Sequence, residues 1–301
     1  MYLKSFTLPN AETERALLSA RAAHNGGYGG YIDNPYPCGI FPKKDFQNIY
    51  FDRITIFYGG NGSGKSTLLN IISEKLQLNR IAPYNSSEMI PSYVDACSYA
   101  LGDDDEGFPY RIPNGSRIIS SDDIFDYMLT VRTNNNDISE NKEDARKGYY
   151  DIKYGKTVKL KGFENYEELR TQVLARRKSV TRREFIRRTA GHEADLNSNG
   201  ETALIYFNNK LKNDTLYCLD EPENSMSPKM QIKFVKRLEE KAYYCNCQFI
   251  IATHSPFVLA IEGAKIYDLD AYPISTKNWW QLENTKLYFE FFDMHRNLFY
   301  K

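Results

Sequence analysis

Hydrophobic and polar positions follow two regimes along the chain. From Tyr2 to Leu8 they alternate, as in a strand with one buried face. Ile54-Thr55-Ile56-Phe57-Tyr58 is a short apolar run ending on glycine and predicts a buried strand. After Gly64 the period changes, and Leu68, Leu69, Ile71, Ile72 and Leu76 share one face of a predicted helix. Residues 1–58 otherwise read as β-rich, with Gly26-Gly27-Tyr28-Gly29-Gly30-Tyr31 as a flexible loop. From 196 onward the pattern predicts helix 200–212, strand 215–219, helix 227–242, strand 248–252, strand 265–270 and helix 284–297. This alternation is that of an α/β fold, a sheet flanked by helices.

Residues 81–190 differ. An acidic turn, Asp103-Asp104-Asp105-Glu106, and a polar stretch from Thr133 to Lys147 bracket a predicted helix around Asp122–Arg132, and a basic helical segment follows over Glu167–Arg188. The expected organisation is a core of residues 1–80 and 191–301 with 81–190 as an inserted, mainly helical lid. There is no internal repeat.

Between the apolar strand and the first helix, Gly59-Gly60-Asn61-Gly62-Ser63-Gly64-Lys65-Ser66 fits the phosphate-binding loop pattern G-x-x-x-x-G-K-[ST]. Its glycines let successive N–H groups point at phosphate oxygens, Lys65 can reach the β- and γ-phosphates, and the Ser66 hydroxyl can ligate Mg²⁺. Gly59, Asn61, Gly62, Ser63, Gly64, Lys65, Ser66 and Thr67 are therefore the candidate nucleotide cradle, and ATP with Mg²⁺ is the expected cofactor set. A metal-holding acid should end a second apolar strand. Leu216-Tyr217-Cys218-Leu219-Asp220-Glu221 provides it, with Asp220 holding the metal directly or through its water shell and Glu221 polarising the attacking water.

Leu219 to Pro228 (L-D-E-P-E-N-S-M-S-P) resembles the Walker B and D-loop of ABC-type ATPases, and Ile250 to Pro256 is similar to the strand and switch histidine that follow them. Leu196-Asn197-Ser198-Asn199-Gly200-Glu201 resembles their signature motif in the short form of soluble RecF-like and SMC-like ATPases. The chain is most similar to small bacterial AAA/ABC-type ATPases, and the tail Gln281-Leu282-Glu283-Asn284-Thr285 also looks like theirs. The resemblance is strong over residues 50–75 and 192–297 and weak between. It implies a P-loop NTPase fold of the ABC head type and an ATP-sandwich homodimer. One protomer would supply Lys65, Ser66, Asp220, Glu221 and His254, with His254 sensing the γ-phosphate, and the other would supply Ser198 and Gly200. From the residues alone, Ser198-x-x-Glu201 is also an ordinary capping box, and Ser198 with the Gly200 N–H is equally an anion site at a helix N-terminus. His192 could face the same nucleotide or lie on the surface.

The family's Q-loop glutamine has no clear counterpart: Gln77 lies in the first helix and Gln172 in the basic segment, leaving Ser120, Ser121 or Asp122 for that role. Tyr28, Tyr31 and Tyr36 are alternatives for an adenine-stacking aromatic.

Composition sharpens this picture. The chain has 301 residues, 42% hydrophobic and 14% aromatic, with 39 Lys plus Arg against 39 Asp plus Glu, so it is formally neutral and not a basic nucleic-acid coat. The five cysteines show no zinc spacing and read as reduced thiols of a cytoplasmic protein. The N-terminus lacks a signal-peptide h-region, and no apolar run reaches the ~18 residues that span a bilayer. Neutrality is a cancellation, because residues 170–188 hold eight basic side chains against Glu184 alone. That strip could pair with acids elsewhere, contact nucleic acid, or dock a nuclease or toxin partner. The reading is an ATP hydrolase that switches a nucleic-acid or protein partner in DNA maintenance or phage defence. The alternative is the ATPase subunit of a membrane ABC transporter, against which the missing Q-loop glutamine and the Glu223-Asn224 D-loop stand.

Overall fold

The computed structural model describes residues 1–24, 32–104, 106–158, 165–177, 179–190 and 198–300. In chain order, β1 (Leu3–Thr7) is followed by α1 (Ala11–His24), β2 (Asn48–Tyr50), β3 (Ile54–Tyr58), α2 (Lys65–Lys75), α3 (Ile90–Ala96), β4 (Ser98–Leu101), β5 (Arg117–Ser120) and α4 (Ser121–Tyr154). Then come α5 (Tyr166–Arg176), α6 (Arg182–Ala190), α7 (Asn199–Lys210), β6 (Leu216–Asp220), α8 (Pro228–Tyr244) and β7 (Gln248–Thr253). The chain closes with α9 (Pro256–Leu259), β8 (Lys265–Asp268), β9 (Ser275–Thr276), α10 (Glu283–Met294) and α11 (Arg296–Phe299). Two compact units result, one of residues 1–124 and 199–301 and a smaller one of residues 125–198.

The larger unit is built on a six-stranded sheet in the order β5-β6-β7-β3-β8-β9, parallel except for β9. Strands covered on both faces read as continuous apolar runs rather than alternating ones. Accordingly every residue of β3 and β7 is buried, as are the first four of β6. Leu68, Leu69, Ile71 and Ile72 of α2 join one core with Phe57, Cys218, Ile250 and Ala252. A second, three-stranded antiparallel sheet has the order β2-β1-β4. Gln248, at the start of β7, ties the two sheets together: its Oε1 accepts from the Leu3 N–H at 2.8 Å and its Nε2 donates to the Leu3 carbonyl at 2.8 Å.

Several elements differ from the sequence reading. The expected β-rich N-terminal segment contains α1, whose Ala-rich sequence favours helix. Asn10 caps it, its side-chain oxygen accepting from the Thr13 N–H at 2.8 Å. The predicted helix near 122–132 instead runs to Tyr154 as α4, through the asparagine stretch expected to be irregular. Asp123 anchors its start by accepting from the backbone N–H groups of Ser120 and Ala82 at 2.7 and 3.0 Å. The basic segment is two helices rather than one. Residues 81–124, expected in the insertion, lie in the larger unit because β5 pairs in register with β6 along Arg117–Ser120. Within the smaller unit, Tyr149, Ala175, Val180 and Phe185 form a separate core.

Candidate functional site

The loop from Gly59 to Gly64 joins β3 to α2, at the carboxyl end of the sheet where α/β folds place ligands. Its path requires glycine at two positions. A Cβ on Gly59 would stand 2.5 Å from the Ser63 hydroxyl, and Gly64 has φ +103° with Ile40 and Phe41 packed against it. Asn61 and Gly62 form the exposed tip, whereas Ser63 is buried with no hydrogen-bond partner for its Oγ. An orphaned hydroxyl inside an anion-cradling loop fits a phosphate ligand better than a closed structural turn. Lys65 is buried and donates to the Gly59 and Gly60 carbonyls at 2.8 and 3.0 Å.

β7 lies between β3 and β6, so the three strand ends bring their residues to one place. Ser66 donates from its Oγ to Asp220 Oδ1 at 3.0 Å. Glu221 Oε1 lies 3.8 Å from the Lys65 ammonium and 3.5 Å from His254 Nδ1. The Glu221 backbone adopts φ +46°, a left-handed conformation that costs a non-glycine residue about 1 kcal/mol or more. It is held by the Glu221 N–H donating to the Ala252 carbonyl at 2.9 Å. Burial is the main influence on Asp220 and lifts its carboxyl to about 6; the Ser66 hydrogen bond and Lys65 oppose the shift, and Glu221 adds to it. Lys65, Ser66, Asp220, Glu221 and His254 are thus together.

The other sequence candidates are placed as follows. Thr67 Oγ1 accepts from the Tyr36 hydroxyl at 3.0 Å, so Tyr36 braces α2. Tyr28, Tyr31 and His192 lie outside the described residues. Ser198 is exposed immediately before α7, and Gly200 is buried in the first turn of α7, where a Cβ would meet the Met230 side chain at 3.2 Å. Gln172 belongs to the smaller unit and is engaged there by the Val158 N–H and the Ile152 and Lys156 carbonyls. Ser120 and Asp122 line a cavity of about 400 Å³ with Ser66, Asp220, Arg80 and Tyr84.

Several contributors went unread in the sequence. Asp270, two residues beyond β8, accepts from the Gly60 N–H at 2.7 Å. Lys44 donates to the carbonyls of Ser63 and Leu269 at 2.9 and 2.6 Å, pinning the loop from the other side. Glu223 is buried, accepts from the Thr253 hydroxyl, and has its carboxyl shifted upward by burial. The Ser255 N–H in turn donates to Thr253 Oγ1 at 2.9 Å, and Ser255 Oγ donates to Gln231 Oε1 at 2.6 Å. This chain of bonds locks the backbone on both sides of His254. An acid just past a strand next to the P-loop strand is a usable signal for Asp270; Lys44 has none, and Glu223 is legible only as part of the D-loop, without its contact to Thr253.

Among the described residues no three His, Cys, Asp or Glu side chains could hold a metal by themselves. A metal at Ser66 and Asp220 would draw its remaining ligands from phosphate and water, which is how Mg²⁺ is usually bound.

Residues 202–260, from α7 through β6, α8 and β7 to the end of α9, match the family model described as "AAA domain, putative AbiEii toxin, Type IV TA system". Over these residues the chain is similar to AAA-domain ATPases. The strand order and the glycine loop between β3 and α2 are those of an α/β P-loop NTPase fold. Solved structures with a similar course include an SMC head domain from Thermotoga maritima, at 15% identity and TM-score 0.40, over 92% of this chain and 99% of that one. Another is the Smc head domain of Pyrococcus furiosus bound to the C-terminal domain of ScpA, at 13% identity and TM-score 0.37, over 81% and 94%. A third is an ATP-binding cassette in a dimeric post-hydrolysis state with ADP and Pi, at 15% identity and TM-score 0.33, over 77% and 88%. Comparison with curated proteins finds no match. No helix among the described residues is long and apolar enough to cross a membrane.

Proposed function

We propose that the chain binds Mg·ATP and hydrolyses it to ADP and phosphate within an ATP-sandwich homodimer. The observation that carries this reading is the convergence of Lys65, Ser66, Asp220, Glu221 and His254 at the ends of three adjacent strands. Ser66 and Asp220 would hold Mg²⁺, which when bound neutralises charge developing on the phosphate oxygens. Lys65 exchanges its loop carbonyls for phosphate oxygens. Glu221, with its Oε2 accepting from Asn224 at 3.2 Å, is oriented to take the proton of the attacking water. His254 stands beside it to sense the γ-phosphate. Ser198 and the N-terminus of α7 complete the site of the opposite protomer, an assignment that rests on motif order.

The switched partner is proposed to be nucleic acid or a toxin-type protein. The family description matched by 202–260 applies its toxin wording to the matched domain itself and names a TA system, which supports a protein partner of the toxin–antitoxin kind, and an open groove in the smaller unit supports an anionic partner. That groove, about 990 Å³, is lined by Arg170, Arg177 and Arg188, with Glu167 the one acid among them and paired to Arg170.

The deciding experiment is ATP turnover and nucleotide binding for the wild type and Glu221→Gln. The variant is expected to bind ATP, to turn over about 10²–10⁴-fold more slowly, and to accumulate as a dimer that retains ATP, rather than ADP, through size exclusion. Normal turnover in Glu221→Gln would remove Glu221 as the base.

A further inference from the structure

From Lys286 to Tyr300 every residue is exposed, although this stretch of α10 and α11 is among the most apolar in the chain. Only Leu282 and Thr285, at the root of α10, are buried in the larger unit. Leu287, Tyr288, Phe289, Phe291, Phe292, Met294, Leu298, Phe299 and Tyr300 are each between 48% and 80% exposed. An uncovered helix of 12 residues is marginal in water, so α10 needs a partner surface to persist. At 150–250 Å² per large side chain the exposed apolar area is on the order of 1,000 Å². Summed around both helices, that is comparable with the ~800 Å² per side of a stable protein interface, and the apolar stripe along α10 supplies about half of it.

The sequence of α10 indicates what covers it. Leu287, Phe291 and Met294 follow one line of the helix, and Tyr288 and Phe292 flank them, giving a continuous stripe. Glu283, Lys286, Glu290 and Asp293 run along one edge of that stripe. When two copies lie antiparallel about a two-fold axis between Phe289 and Glu290, like edges meet. Lys286 then stands opposite Asp293. The same axis sets Leu287 against Phe292 and Tyr288 against Phe291. One oppositely charged pair and two apolar pairs, each doubled by the symmetry, thus share one centre, with the two Glu290 side chains side by side on the charged edge. The Asp293–Arg296 pair within one chain is exposed and 3.9 Å long, so it does not hold Asp293 back. Charge argues against a lipid surface, because Glu283, Glu290 and Asp293 outnumber Lys286 and Arg296, whereas interfacial helices carry a basic polar face.

We infer that α10 is a self-recognition helix that pairs antiparallel with α10 of a second copy of this chain, without nucleotide. The pairing is independent of the ATP-binding reading, and nucleotide-free protein tests it separately. Sedimentation equilibrium without ATP is expected to show a dimer for the wild type and a monomer for Phe291→Asp/Phe292→Asp that still binds nucleotide. Lys286→Glu and Asp293→Lys should each weaken the dimer about tenfold, since each reverses two symmetry-related pairs. The double variant Lys286→Glu/Asp293→Lys should recover wild-type affinity, an outcome that neither a different protein partner nor a lipid surface would give. A wild-type monomer at ~100 μM, well above the micromolar Kd of a weak dimer, would overturn the inference. So would a double variant as weak as the singles, or an α10 that binds anionic vesicles in place of a second copy.

Discussion

At the scale of single residues, the site has charge waiting for a ligand. Asp220 is buried against Ser66 with its carboxyl lifted to about 6, above the ordinary 3.8, so the folded chain holds this proton more tightly than the unfolded chain does. For this group, stability is greatest below 3.8 and is lost as pH rises through about 6. Bound Mg²⁺ would reverse that penalty, since a cation favours the ionised form. Asp220→Asn is therefore expected to raise the thermal midpoint of chelator-treated protein at pH 7 by a few degrees, and to abolish the midpoint increase that Mg·ATP gives the wild type. Differential scanning fluorimetry at pH 5 and pH 7, with and without Mg·ATP, checks both; no pH dependence in the wild-type-to-variant difference would count against the burial argument.

At the scale of elements, the corner after β7 carries the coupling. Thr253 accepts from Ser255 and donates to Glu223, so the turn bearing His254 is bonded to the loop that follows Glu221. Thr253→Val removes this hydroxyl while keeping the shape, and leaves a buried carboxylate and a buried N–H without their partner. The expected cost is about 1–3 kcal/mol of stability. If the corner positions His254, kcat should fall more than KM changes; a variant with lower stability and unchanged kcat would mean the network is only structural. Much of this element level was legible beforehand. β3, β6 and β7 stand out because parallel strands buried on both faces are continuously apolar, and the glycine-rich loop marks the start of α2 to the residue. α1 is hard to see in the sequence because Asn10 and its alanines lie between β-like runs on either side. α4 was cut short because Asn134-Asn135-Asn136 and Thr133 have low helix propensity, which local ion pairs such as Glu143–Lys147 at 3.0 Å help offset. Lys65, Ser66, Asp220, Glu221 and His254 could be named from spacing, whereas Lys44 reaches the loop from 19 residues before Ser63 and Glu223 acts through Thr253, 30 residues away, contacts that only the folded chain creates.

At the scale of the whole molecule, formal neutrality conceals a basic segment that is partly spent inside the fold. Arg176 donates to the carbonyls of Lys153 and Gly155, Arg182 to that of Arg146, and Arg170 and Arg188 pair with Glu167 and Glu184. The side chains of Arg177 and Arg183 are exposed and make no hydrogen bond or ion pair among the described residues. Few free arginines among the described residues imply weak, strongly screened phosphate binding rather than a high-affinity clamp. Duplex DNA is accordingly expected to alter ATP turnover at ~50 mM salt and to lose that effect by ~200 mM, with Arg177→Glu/Arg183→Glu removing the response. A steady-state ATPase assay across that salt range decides it, and turnover indifferent to DNA throughout would leave a protein partner as the switched component.

The place of β7 between β3 and β6 has a consequence for how this chain can vary. Residues of β7 are matched one for one with both neighbours, Ala252 beside Asp220 and Thr253 beside Tyr58. One residue added within β7 would carry His254 about 3.3 Å onward and turn successive side chains to the opposite face of the sheet. The loop at Gly59–Thr67 and the acids at Asp220 and Glu221 would be left intact. Length changes in this fold should therefore be borne by its turns and by the 125–198 unit, while β7 keeps its residue count: it is the ruler against which the two halves of the site are measured.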